Sequence, residues 1–272
     1  MDVVLYIRDD MSKDNTSEIL SEYASKFTNI ILLHADENLG ACRSFLKLMC
    51  TEIDSNFFAL ADQDDIWDED KLAVGIHILK SLPQDKPALY YSNVRVTDAE
   101  GNVTRLAHKE PQVAKNRWAF LAEPLAQGCT CIYNKELAKI IWHTQPTTYS
   151  MHDTYIYNLG AMFGNVVYDF EPHMNYRQHE SNVIGIAKRQ LSCEGLKRQA
   201  HYYLNWKDQP RYETAQIMAE QWKDLMNDEQ KNMVSLIVDY KKVFAIVFVC
   251  YAVKRCIQKP NIGYFGGKQK CC

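Results

Sequence analysis

Three carboxylates fall within four residues at Asp62-Gln63-Asp64-Asp65, and Ile66-Trp67 follow them. Brought to one point, such charges repel, and something must offset them. A hard divalent cation does so through oxygen ligands, and it keeps open positions that suit phosphate oxygens. The competing reading is a solvated loop that caps the next helix, with Asp68, Glu69 and Asp70 extending the acidic run. Placement favours the cation, because the cluster stands directly behind the apolar run Phe57 to Ala61. Asp9 and Asp10 likewise stand directly behind the apolar run Val3 to Ile7, where the plain reading is an aspartate that caps the first helix. Asp153, followed by Thr154 and Tyr155, taken alone also reads as a helix cap.

The elements that must hold these residues alternate between short apolar runs and helical patterns. Val3 to Ile7, Ile30 to Leu33, Phe57 to Ala61 and Leu89 to Tyr91 read as strands. Between them, Asn15 to Phe27 carries Ile19, Leu20, Tyr23 and Phe27 on one helical face. Asn15 is placed to cap this helix, with Glu18 three residues on. The next helix turns Cys42, Phe45, Leu46 and Met49 inward, and Asp68 to Leu82 is a third helix. Alternation of this kind predicts a parallel sheet covered on both faces, with ligands beyond the carboxyl ends of the strands. Asp9, Asp10 and Asp62 then share one rim. Further on, Asp98 to Asn102 is a turn between short strands. Thr130 to Tyr133 and Val166 to Phe170 are further strands, with helices at Lys135 to Trp142 and Thr154 to Phe163.

A chain of 272 residues with 47% hydrophobic content can bury one large core with a small appendage. The net charge of −3 and the lack of a basic-aromatic stripe argue against nucleic acid as the main partner. The nine cysteines show no zinc-ligand spacing, and reduced thiols in a cytoplasmic compartment are expected. The first residues show no basic-then-apolar pattern, so no signal peptide is expected there. The apolar stretch Val243 to Val253 is flanked by Lys241-Lys242 and Lys254-Arg255. It is too short to span a bilayer, which needs about 20 residues. It reads as a buried helix, or as one lying in the inner leaflet of the cell membrane on its basic flanks.

The acidic segment Asp62 to Trp67 resembles the Asp-x-Asp segment of the family 2 glycosyltransferases. Its Gln and Trp are similar to those of the bacterial rhamnosyltransferase-like branch, which builds cell-surface polysaccharides. Five other segments resemble the family in the right order. They are Arg8 to Thr16, Asn38-Leu39-Gly40, Gln127 to Thr130, His152-Asp153, and Tyr176 to Gly185. Together they span residues 3 to 185.

The resemblance implies an α/β fold of the GT-A type: a Rossmann-like mixed sheet flanked by helices over residues 1–190, with a helical extension over 191–272. It implies that Asp9 or Asp10 accepts a hydrogen bond from a nucleotide base, and that Asp62 contacts the ribose or supports the metal. Asp64 and Asp65 would hold Mg²⁺ or Mn²⁺, with His179 approaching that ion and Arg177 the diphosphate. Gln127 and Gly128 would shape the acceptor side. Asp153 would be the general base of an inverting transfer from a nucleotide-sugar, with dTDP-rhamnose as the donor that the branch indicates. The acceptor would be a glycan or a lipid-linked hydroxyl at the membrane's inner face.

Two departures from the family stand out. The strand–helix unit that usually precedes the Asp-Asp strand is absent before Met1, and its loss is expected to expose strand edges and apolar surface. Met11 replaces the family's glycine after Asp10 and is poorly suited to a positive φ. The first departure motivates a rival reading, a non-catalytic remnant that binds a partner enzyme or a membrane. A hydrolase built on paired carboxylates ranks last, because no nucleophile signature or histidine-rich cluster accompanies them.

Overall fold

The structure, a computed structural model, describes residues 2–111, 118–121, 125–178 and 210–239. The apolar run at the start forms β1 (Leu5–Arg8), which is joined through α1 (Thr16–Lys26) to a parallel partner, β2 (Ile30–Leu33). Helix α2 (Gly40–Met49) follows, with Leu46 and Met49 buried and Cys42 and Phe45 packed against the core, as their spacing predicts. Then come β3 (Phe57–Ala59), β4 (Ile66–Trp67), α3 (Lys71–Lys80) and β5 (Ala88–Ser92).

All five residues of β5 are buried, because the strand has a helix on each face. Ala88 and Tyr90 join Leu79 of α3 in one apolar cluster. Leu89 and Tyr91 join Ile156 and Leu159 of α5 (His152–Phe163) in another. This alternation is what a central strand buried on both sides requires.

A hairpin of β6 (Arg95–Thr97) and β7 (Val103–Leu106) leads away from this sheet. The chain returns through a 3₁₀ turn at Gly128–Thr130 into β8 (Ile132–Asn134) and α4 (Lys135–Thr144). After α5 come β9 (Asn165–Asp169) and β10 (Met174–Arg177). The strand orders are β1-β2, β3-β8-β5-β9 and β4-β10-β6-β7. The predicted α/β class with helices flanking a mixed sheet holds, but the parallel alternation does not. Because β8 runs back between β3 and β5, it pairs antiparallel with both. Only β1–β2, β5–β9 and β6–β10 are parallel among the described strands. Arg95 fastens this last pair: it donates to Asn175 Oδ1 at 2.6 Å, to the Pro172 carbonyl at 2.9 Å and to Asp68 Oδ2 at 2.7 Å.

Helices α6 (Pro210–Gln221) and α7 (Asp228–Val238) close over α5. Trp222 is fully buried against Tyr149, Tyr155 and Phe163, and Gln230 Nε2 donates to the Met162 carbonyl at 2.6 Å. No helix among the described residues is long and apolar enough to cross a membrane. The stretch Val243 to Val253 lies outside the described residues. The four described cysteines, Cys42, Cys50, Cys129 and Cys131, are unpaired.

Helix α1 departs from its predicted role. Ile19, Tyr23 and Phe27 were expected to face inward, yet each is exposed, and α1 has no buried residue. Val3 and Val4 beside β1, Leu5 of β1, and Ile31 and Leu32 of β2 are exposed as well, so apolar surface lies open around this strand pair. The cap differs too. Asn15 makes no capping bond, and Asp14 Oδ1 instead accepts from the Thr16 amide at 3.1 Å.

Met11 adopts φ 67°, the conformation that the sequence flagged as unsuited to it. A left-handed residue with a Cβ is strained by roughly 1–2 kcal/mol, and glycine offsets part of that gain with its larger unfolded-state entropy. Met11→Gly is therefore expected to stabilise the chain by about 0.5–1 kcal/mol, read as a Tm rise of roughly 1–4 °C. An unchanged or lower Tm would mean that Met11 makes compensating contacts.

Candidate active site

The loop after β3, the 3₁₀ turn before β8 and the first turn of α5 meet around the acidic cluster. Asp10, two residues past β1, is engaged by the protein itself. Its Oδ1 accepts from the Leu39 amide at 2.8 Å and its Oδ2 from the Gly40 amide at 2.7 Å. Arg8 pairs with it and also donates to Ser44 Oγ at 2.6 Å. Burial works against the charge, but the amides of Leu39 and Gly40 with Arg8 and Ser44 outweigh it and hold the carboxyl down at about 2. Asp10 thus anchors the Asn38-Leu39-Gly40 turn on the rim. Asp9 accepts from the Ser12 amide at 3.2 Å.

Asp62 and Asp65 converge with the Cys129 thiol, with ligand atoms all within 4.8 Å of one another. Burial, then the charges of Asp65, Asp64 and Asp153, push the Asp62 carboxyl up to about 6, and Lys71 opposes them. Asp65 is also pushed up by burial, against bonds from the Cys129 thiol and the Arg177 amide. Its Oδ2 is buried with no hydrogen-bond partner. A buried, unpartnered carboxylate oxygen beside a second strained carboxylate is what a hard cation relieves, so these residues fit Mg²⁺ or Mn²⁺. Burial raises the Cys129 thiol well above its usual range, so it stays neutral and suits that ion poorly. Asp64 is half-buried; its charge acts on both Asp62 and Asp65, but it lies outside the converging trio.

Asp153 sits in the first turn of α5, one residue inside the helix start. Its Oδ1 accepts from the Thr154 amide at 2.6 Å. Its charge is among those that raise Asp62. Beside it, the His152 ring is buried, stacks on Phe45 at 4.2 Å between centroids, and has no hydrogen-bond partner on either nitrogen. Burial lowers its proton affinity, and a neutral ring results. A Cβ on Gly128 would lie 2.5 Å from its Nε2, so only glycine lets the 3₁₀ turn approach the helix this closely. Gln127 begins that turn, and its carbonyl accepts from the Thr130 amide at 2.9 Å.

Arg177 reaches the site from β10 through its amide bond to Asp65 at 3.2 Å. Ile66-Trp67 read as no strand in the sequence, yet these residues pair with Asn175 and Met174 and so bring β10 beside the acidic loop. His179 lies outside the described residues. A second group, Asp68, Asp70 and His173, is close enough to share an ion, but Asp68 is already committed to Arg95.

One residue of the site escaped the sequence reading altogether. Lys71 opens α3 and reads as a surface lysine, but it is only 1% exposed. Its Nζ donates to the Cys129 carbonyl at 2.8 Å and lies 3.3 Å from the centroid of the Trp67 ring. Burial pushes its proton affinity down to about 8. The partner is 58 residues away in the chain, so no local pattern could have revealed it.

Comparison with known proteins shows the family of the chain. The family described as Glycosyl transferase family 2 matches residues 2–142. The dTDP-rhamnosyl transferase RfbG of Shigella flexneri is 28% identical over 197 residues, covering 68% of this chain and 66% of that protein. An uncharacterised glycosyltransferase of Rickettsia typhi is 23% identical over 193 residues, covering 70% of this chain and 59% of its own length. The chain therefore spans about two thirds or less of each of these curated relatives. Among solved structures, TarS of S. aureus (residues 1–349, in complex with UDP-GlcNAc) superposes with a TM-score of 0.47 at 17% identity, covering 80% of this chain and 62% of that one.

Proposed function

The chain belongs to the family 2 glycosyltransferases, and from that premise we propose that it transfers a sugar from a nucleoside-diphosphate donor to a hydroxyl, with inversion. The observation that carries this reading is the convergence of Asp62 and Asp65 on one partly buried site with a carboxylate oxygen left unpartnered, with the charge of Asp153 acting on Asp62. Asp10, with the turn it anchors, and Asp9 form the nucleotide pocket and offer acceptors to the base. Asp62 would contact the ribose or support the metal. Asp65, with Asp64 beside it, would hold Mg²⁺ or Mn²⁺, and Arg177 would face the diphosphate. When bound, the ion would neutralise charge on the leaving nucleoside diphosphate.

On the other side, Gln127 and Gly128 shape the place of the acceptor. Asp153 takes the proton from the acceptor hydroxyl while that oxygen bonds to the anomeric carbon. The bond from that carbon to the diphosphate breaks on the opposite face. In this reading residues 1–190 are the transferase domain and 191–272 a helical extension. RfbG's name makes dTDP-rhamnose the first donor to try. A cell-surface polysaccharide intermediate on a polyprenyl lipid at the inner face of the membrane is the acceptor we favour.

Titration calorimetry with dTDP, UDP and GDP, each with and without Mn²⁺, followed by transfer from dTDP-rhamnose to a polyprenyl-linked saccharide, tests the proposal. Metal-dependent binding of one diphosphate with product formation is expected. Absence of any metal-dependent binding would favour the non-catalytic reading instead.

A further inference from the structure

Lys71 has no part in the chemistry proposed above, yet it is the most deeply buried charge of the site. Burying an ammonium is unfavourable by several kcal/mol unless its donors and its charge are met. Here one donor meets the Cys129 carbonyl, the ring face of Trp67 covers another side, and the charges of Asp62 and Asp65 act on it. These partners belong to two different segments of the chain. Trp67 ends the acidic segment on the donor side, and Cys129 lies in the middle of the 3₁₀ turn on the acceptor side. That turn is also closed by its own bonds, from the Thr130 amide to Gln127 and from the Cys131 amide to Gly128, both at 2.9 Å, and the neutral Cys129 thiol, a weak donor, adds a bond to Asp65. Gly128 in turn abuts His152, the neighbour of the proposed base.

Resting on the transferase reading for its catalytic consequence, we infer that Lys71 is a positioning residue, a buried strut that fixes the acceptor-side turn and Asp153 relative to the acidic loop. The tie runs from Trp67 through the ammonium to the Cys129 carbonyl, and from Gly128 to the α5 start. Loosening it lets the acceptor hydroxyl and the Asp153 carboxylate drift apart while the nucleotide pocket around Asp10, built from other residues, stays in place. Hydrogen bonding rather than charge alone makes the tie, so an uncharged donor at this position retains part of it.

Two variants of the full chain separate these features. Lys71→Met keeps the volume and removes both donor and charge. Lys71→Gln restores an N–H donor without the charge. Hydrogen exchange at the amides of Thr130 and Cys131 is expected to quicken about tenfold in Lys71→Met and less in Lys71→Gln. With the polyprenyl-linked saccharide as acceptor, its KM is expected to rise and kcat to fall on the order of tenfold in Lys71→Met, with partial recovery in Lys71→Gln. The Kd for dTDP with Mn²⁺ should stay within about twofold, which also shows that both variants are folded. Equal exchange in all three proteins overturns the strut, as does a loss confined to dTDP binding or equal damage from Met and Gln. If the unaltered chain transfers no sugar, the exchange difference still decides the strut, and only the transferase reading falls.

Discussion

Asp153→Asn is expected to bind Mn²⁺ and donor as the unaltered chain does, and to lose transfer by roughly 10²–10⁴-fold, the range for removing a general base. The amide keeps the local structure. Its oxygen can still accept from the Thr154 amide, the bond that Asp153 now makes in the first turn of α5. Losing a negative charge near a helix N-terminus costs about 0.3–1 kcal/mol, too little to unfold the chain. A second effect marks the substitution as local. Asp153 is among the charges that raise Asp62, so its removal should let Asp62 ionise at lower pH and strengthen Mn²⁺ binding in mildly acidic buffer. Single-turnover transfer read alongside calorimetry separates the two effects. Near-normal transfer by Asp153→Asn would remove Asp153 from the chemistry.

What the chain disclosed in advance was the part encoded over short distances. The acidic segment behind β3 could be placed from the apolar run before it, because a strand and the loop it feeds are contiguous. Asp153 could be placed only through family resemblance, since a capping aspartate and a base look alike in isolation. The features that escaped are those made by long-range pairing. Nothing near Lys71 reveals that its ammonium turns inward, since the carbonyl that receives it comes from the other side of the site. Ile66-Trp67 carry no strand signal of their own, and they extend because β10 lies alongside them. The antiparallel entry of β8 follows from the long excursion through β6 and β7, which alternation of strands and helices does not encode. Helix α1 shows the opposite failure. Ile19, Tyr23 and Phe27 have helical spacing that implies a covered face, yet periodicity says only that a face is apolar, not what covers it.

Mn²⁺ is expected to raise the Tm of the chain, and to raise it more as pH climbs through 6. Without the cation, the folded-state Asp62 carboxyl is shifted up from 3.8 to about 6 by burial and by its acidic neighbours. Between those values the folded chain keeps a proton that the unfolded chain has released. The stability contributed by this protonated group is therefore complete below pH 3.8 and is lost as pH rises through about 6. Discounted for solvent screening, the loss is on the order of 1–2 kcal/mol. A bound cation reverses it by pairing with the carboxylate, and at 100 times its Kd it adds about 2.7 kcal/mol. The Mn²⁺-dependent rise should thus be small at pH 5 and large at pH 7.5. Asp62→Asn gives a signature of opposite sign in the two states. It removes a buried charge, so the cation-free protein should be more stable at pH 7.5, while its response to Mn²⁺ largely disappears. Asp65→Asn should lose the response as well, since the unpartnered Oδ2 is the oxygen best placed to meet an ion. A Tm rise that is equal at both pH values, or undiminished in both variants, would place the cation elsewhere and leave the acidic loop without a metal role.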